Sequence, residues 1–230
     1  MIRPRQQRIL QSLATYKWLQ PSQMLKTGCA THKQNLYPSL NALRERGFCD
    51  RVKANVLGRQ DVWYLKNKGA TWCEDNLLLD WIHYVKRAPR PISDLTYEHR
   101  ARTVDSVIDL YGEKEWSSLE YEAFIEYGEG RLQADCLMGD GTTLYSIEMH
   151  HAPKRQHILD KIRKYNKALA IGNPSRQYGY NRNTKVLHVF SDRATMGFVK
   201  TTMEDEPQYH PFNKLHRFRL YGSSEWIGFV

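Results

Sequence analysis

Apolar positions recur at helical spacing over residues 5–16, where Ile9, Leu10, Leu13 and Tyr16 form one stripe and predict an amphipathic first helix. Trp18 and Leu19 lead into Pro21-Ser22, a helix-start pair, with Met24 and Leu25 as the apolar side of a short second helix that Gly28 ends. A third helix has two starts open to it, Thr31 with Gln34 as a capping box or Asn35 as the cap, and it stops at Gly47. Pro38 favours the later start, because a proline deep in a helix costs about 3 kcal/mol, whereas close to the cap its missing N–H had no partner to lose. Leu36, Leu40 and Leu43 form the buried stripe of this helix. The alternating runs FCDRVKA and DVWYLKN, joined through Gly58-Arg59, read as a two-stranded hairpin.

Residues 70–96 read as a connector, with Trp72, Leu77, Leu78, Leu79, Trp81 and Ile82 predicting a helix and Pro89 and Pro91 breaking the chain after it. From residue 97 the pattern changes. Val104, Val107, Ile108 and Tyr111 give a helical stripe, and residues 116–127, with Trp116, Tyr121, Phe124 and Ile125, read as a strand. RLQADCLMGDGTTLYSIEMHH reads as a strand, a Gly139-Asp140-Gly141 turn and a second strand. Ile158, Ile162, Tyr165 and Leu169 mark a helix over 154–170 in which Tyr165 belongs to the core, and KVLHVF at 185–190 is a buried strand. The fold class expected is α+β: a winged helix-turn-helix over residues 1–70, a connector helix and linker over 71–96, and an α/β sandwich over 97–230.

Composition narrows the class. The 230 residues are 41% apolar, enough for a real core, which excludes a disordered or fibrous chain. No run approaches the roughly 18 to 20 apolar residues of a membrane helix, and MIRPRQQRIL lacks the apolar run of a signal peptide, so the sequence predicts a cytoplasmic protein without membrane insertion. Cys29, Cys49, Cys73 and Cys136 form no CxxC pair and predict buried, reduced thiols. The net charge of +9 is distributed in blocks: residues 1–90 hold 16 Lys+Arg against 6 Asp+Glu, residues 91–152 hold 4 against 13, and residues 153–230 hold 14 against 6. Basic blocks favour a polyanion through phosphate contacts and counterion release. An acidic block between them needs a reason, and a site for divalent cations supplies one.

In a winged helix-turn-helix the third helix enters the major groove and the wing touches backbone. His32, Lys33, Asn35, Ser39, Asn41 and Arg44 on that helix, with Arg59 on the wing, are the candidate contacts to duplex DNA. In the acidic block, Glu148 and His150 lie two apart on one strand and share a face. If Asp140-Gly141 forms a two-residue type I′ loop, Asp135 lies opposite Ser146, on the same face as Glu148 and diagonal to it. Two carboxylates then converge at metal-bridging distance, whereas a three-residue loop without a bulge sends Asp135 to the other face.

The spacing D-x12-E-x-H from Asp135 through Glu148 to His150 resembles the PD-(D/E)xK nuclease motif, with Ala134 in place of the proline and His150 in place of the lysine. Taken with the early YEHR helix, the AD…IEMHH hairpin and the LDKIRKY helix, residues 5–190 resemble the replication-relaxation family and, within it, the MobC-type relaxases of mobilisable plasmids. That resemblance implies an enzyme that nicks one strand at a plasmid transfer origin, with Asp135 and Glu148 holding Mg²⁺ or Mn²⁺. His99, His150 and Lys161 are the remaining matching positions, and either His150 or Lys161 stands in for the motif lysine. It also implies double-stranded origin DNA, an accessory mobilisation protein and a coupling protein as partners. Glu98, Glu120 and Glu122 are candidate further ligands, while His151 and His157 have no motif role. The chain has no His-x-His triplet of the kind other relaxases pair with a tyrosine nucleophile, and hydrolytic and covalent cleavage both stay open. Two other readings remain: a non-catalytic winged-helix regulator or replication initiator, and an endonuclease of the restriction or transposase type.

Overall fold

The computed structural model describes residues 1–53, 60–79, 81–85, 94–113, 115–151, 154–180 and 183–229. They form two compact units of mixed helix and strand, Met1–Ile108 and Asp109–Val230.

The first unit runs α1 (Pro4–Tyr16), β1 (Trp18–Leu19), α2 (Pro21–Lys26), α3 (Lys33–Glu45), β2 (Cys49–Val52), β3 (Val62–Leu65), α4 (Asn67–Asn76) and α5 (Asp94–Tyr111), and the division from the second unit falls inside α5. Pro4 and Pro21 open α1 and α2. There the side chains of Gln6 and Gln23 reach back to accept from the backbone N–H of Arg3 at 3.0 Å and of Gln20 at 2.8 Å. Each bond satisfies one N–H that a helix start leaves without a partner. Ile9, Leu10 and Leu13 of α1 and Leu36, Leu40 and Leu43 of α3 are fully buried. The sheet is antiparallel in the order β1-β3-β2, and all four side chains of the central strand are buried.

Two boundaries depart from the sequence reading. α3 starts at Lys33 with His32 as its cap, not at an Asn35 cap, so Pro38 stands inside the helix. Its first turn closes by a bond from Asn35 N to His32 O at 3.1 Å, a 3₁₀-type closure that asks nothing of Pro38. Of the predicted connector helix only the part around Trp72 is helical, within α4, which ends at Asn76; Leu78 is fully exposed, and residues 77–79 and 81–85 are not helical. Backbone bonds from His83 N to Ala14 O at 2.8 Å and from Val85 N to Leu65 O at 2.9 Å tie that segment to α1 and β3. Gly58-Arg59, Pro89 and Pro91 lie outside the described residues.

The second unit continues with β4 (Ser118–Tyr121), β5 (Phe124–Glu126), β6 (Arg131–Gln133), β7 (Cys136–Gly139), β8 (Leu144–His150), α6 (Arg155–Ala170), β9 (Thr184–Phe190), α7 (Arg193–Asp205), a 3₁₀ turn (His210–Leu215) and β10 (His216–Leu220). A five-stranded sheet has the order β10-β9-β8-β7-β4, antiparallel from β4 to β8 and parallel from β8 to β10. The parallel step from β8 to β9 requires a crossover, which α6 makes while burying Ile158, Ile162, Tyr165 and Ala168.

Residues 116–127 are two strands, not the predicted one. Glu122 adopts a φ of 57°, a left-handed value that non-glycine residues rarely take. Its N–H donates to Asp135 O at 3.0 Å, and Ala134 N–H donates to Ala123 O at 2.8 Å. The hairpin bends there, sending β4 and β7 into the main sheet and β5 and β6 into a separate two-stranded ribbon. Among the described residues no helix is long and apolar enough to cross a membrane.

Candidate active site

The turn between β7 and β8 decides where the carboxylates fall. The ladder pairs Gly139 with Leu144 and Cys136 with Ile147, so the loop is the four residues Asp140–Thr143 rather than two. The side chain of Asp140 shapes it: Oδ1 accepts from Thr142 N at 3.0 Å, Thr142 Oγ1 at 2.8 Å and Thr143 N at 2.8 Å. Adding two residues to the loop preserves parity, so Asp135 stays on the face of Glu148. One step beyond the last registered pair it stands directly opposite Glu148, not opposite Ser146 as the two-residue loop required.

The Asp135 carboxylate is anchored at Oδ2, which accepts from Met149 N–H at 2.7 Å, and its Oδ1 lies 3.7 Å from the Lys161 ammonium. Glu148 is 1% exposed and spans two partners: Oε1 accepts from the Tyr165 hydroxyl, and Oε2 is ion-paired with Lys161 Nζ. Tyr165 in turn accepts from Ser146 Oγ at 2.6 Å. Lys161 and Tyr165 stand four apart on α6 and so reach the site from one side of that helix. The tyrosine expected in the core is buried as expected and also orients Glu148.

Burial pushes the Glu148 carboxyl up to about 7, and the nearby Asp135 charge adds to this while Lys161 and the hydrogen bonds oppose it. Burial works against the Lys161 ammonium, but the two carboxylates outweigh it and hold the amine protonated above its ordinary range. Desolvation and the Glu148 charge raise the Tyr165 hydroxyl well above its own, which keeps it a donor rather than a phenolate.

The structure therefore brings Asp135, Glu148 and Lys161 together. His150 lies on the same sheet face, 6% exposed, but its Nε2 is 2.9 Å from His188 Nδ1 and its ring packs 4.7 Å from Phe190. His188 continues to His216, and His216 to Asn166. Sequence reasoning missed these three residues; the available signal was a histidine within the apolar run VLHVF of β9. His99 lies on α5 in the first unit, with its carbonyl accepting from Thr103 Oγ1 at 2.9 Å, and so belongs to a different unit from the carboxylates. Glu98, also on α5, is 3.7 Å from Arg102. Glu120 is exposed on β4, and Glu122 occupies the bend described above. Among the described residues no group of three or more His, Cys, Asp or Glu gathers as a metal cage.

On α3, Lys33, Tyr37, Asn41 and Arg44 follow one another at steps of four, four and three, along one side of the helix. Lys33, Asn35 and Asn41 are exposed, Ser39 is half-buried, and Arg44 Nε donates to Asp50 Oδ1 at 3.0 Å. Asn35 and Ser39 point away from the Lys33 row by helical geometry. Arg59 lies outside the described residues. All four cysteines are free and buried.

Set against models of protein families, curated proteins and solved structures, the chain matches none of them.

Proposed function

We propose that the protein is a DNA-nicking enzyme of the relaxase type, in which the first unit acts as a winged helix-turn-helix on duplex DNA and the second as a PD-(D/E)xK-like nuclease. The observation that carries this reading is the placement of Asp135 directly opposite Glu148 with the Lys161 ammonium reaching both. Those are the two carboxylates and the cation that the motif requires. The lysine comes from α6, where it replaces the strand position occupied by His150. Their donor chemistry fits a divalent cation: both carboxylates are hard oxygen ligands, and they already flank a positive charge in the form of Lys161. Asp135 and Glu148 would hold Mg²⁺ or Mn²⁺, which when bound polarises a scissile phosphate and lowers the pKa of a coordinated water. The chain's own groups prepare the site. Met149 N–H and Tyr165 fix one oxygen of each carboxylate, and Lys161 offsets their mutual repulsion and presents a cation to an incoming phosphate.

A transfer origin as the DNA, with an accessory mobilisation protein and a coupling protein as partners, follows from the same likeness to MobC-type relaxases. One observation favours a second reading, a non-catalytic regulator: Glu148 already has Tyr165 and Lys161 on its two oxygens, so the site is satisfied by the chain alone. Incubating supercoiled plasmid with the protein and Mg²⁺ or Mn²⁺ separates the readings. Open circles are expected, and Asp135→Asn, which keeps an oxygen for Met149 N–H, should lower their yield at least 10²-fold, on the order of a lost metal ligand. Linear product would assign a restriction-type enzyme. No product from an origin-bearing plasmid would leave the regulator.

A further inference from the structure

Three imidazoles form a hydrogen-bonded row across β8, β9 and β10. His150 Nε2 lies 2.9 Å from His188 Nδ1, His188 Nε2 lies 2.8 Å from His216 Nδ1, and His216 Nε2 lies 3.0 Å from Asn166 Oδ1 on α6. Successive rings are nearly parallel, at 16° and 13°. The three histidines and Asn166 are all more than nine-tenths buried, so water does not complete their bonding.

A neutral imidazole has one N–H and one lone pair, so a row of them bonds only if every ring points the same way. His188 and His216 are neutral near pH 7: burial first, then each one's charged neighbours, hold His188 well below its ordinary value and His216 down to about 3. An amide oxygen can only accept. His216 must therefore donate from Nε2 to Asn166 and accept at Nδ1. His188 must then donate from Nε2 and accept at Nδ1, which leaves His150 to donate from Nε2. The amide also ends the row in an atom that takes up no proton near neutrality. The row thus orients and does not conduct.

We propose that Asn166, acting through His216 and His188, is a positioning residue that holds a proton on His150 Nε2, so that any chemistry His150 performs is left to Nδ1. The role of Nδ1 rests on the nuclease reading above; the proton on Nε2 does not. Second-neighbour hydrogen bonds of this kind set which ring nitrogen of an active-site histidine is available.

The test is a two-bond ¹H–¹⁵N correlation on the full chain labelled with ¹⁵N-histidine, at pH 7. The expected spectrum shows His150, His188 and His216 each with Nε2 protonated, and His188 and His216 with Nδ1 bare. A bare Nε2 on any of the three, or a proton on Nδ1 of His188 or His216, overturns the proposal. Asn166→Asp keeps an oxygen acceptor and should keep the pattern. Asn166→Leu removes it, should scramble the His150 signal, and should lower nicking kcat by about 10- to 100-fold at unchanged KM. His150 still purely Nε2–H in folded Asn166→Leu also overturns the proposal. If that variant does not fold, the wild-type and Asn166→Asp spectra decide. Wild-type protein that nicks nothing sinks the nuclease reading while the tautomers remain readable.

Discussion

Replacing Glu148 with Gln should change the pH dependence of stability in the second unit by one proton. Glu148 in the folded protein is raised from 4.5 to about 7, so its contribution is complete below about 4.5 and is lost as pH rises through 7. His216 is displaced the other way, from 6.5 to about 3, so its contribution is complete above 6.5 and is lost as pH falls toward 3. Each proton taken up by only one state changes stability by about 1.4 kcal/mol per pH unit. Between pH 4.5 and 6.5 the two residues therefore oppose each other, each by about 3 kcal/mol. His188, also lowered, adds acid sensitivity in the direction of His216. In Glu148→Gln the opposing contribution disappears. The difference in stability between wild type and variant should then widen by about 3 kcal/mol as pH falls from 6.5 to 4.5, a large part of a typical 5–15 kcal/mol total. Pulsed hydrogen exchange of β8 and β9 peptides across urea series, in EDTA and at half-unit pH steps, reads this in the second unit alone. Parallel pH profiles for the two proteins would show that burial does not hold a proton on Glu148.

On the first unit, Lys33→Ala should reduce the salt slope of duplex-DNA binding by about 0.9, the effect of one phosphate contact. Arg44→Ala should reduce it by less, since Arg44 is already bonded to Asp50, and a larger loss from Arg44 would refute that ordering. Gly69→Ala in α4 should destabilise by about 1–3 kcal/mol in thermal unfolding, although Gly→Ala in a helix ordinarily stabilises by about 1 kcal/mol. A Cβ at Gly69 would overlap the Phe48 carbonyl oxygen, which is backbone and cannot rotate away. A raised melting temperature would disprove this.

What the sequence discloses here depends on how local the cause is. α1 and the stripe Leu36, Leu40, Leu43 follow from periodicity alone, and their burial agrees; α2 follows from its start and stop signals, and of its apolar pair Met24 is buried while Leu25 is only partly so. The shared face of Asp135 and Glu148 was legible because strand parity survives a two-residue error in loop length. Lys161 comes from the likeness to the relaxases, and its place four residues before the buried Tyr165 puts it on the apolar side of its helix. The break at Glu122 was not legible, because a left-handed glutamate is imposed by backbone bonds to the opposing strand rather than by its own propensity. Neither was the histidine row. His216 reaches His188 only because β10 pairs in parallel with β9, a long-range contact that no local pattern encodes.

That late strand has a consequence for biogenesis. By the time synthesis has passed Phe190, the growing chain holds Asp135, Glu148, Lys161 and Tyr165, together with β7, β8 and β9. His216 is still to come, after α7 and the 3₁₀ turn. Until β10 docks, His188 Nε2 has no imidazole to meet. The row therefore cannot close before β10 is made, whereas every side chain of the acidic pair and its partners is already in the chain by then.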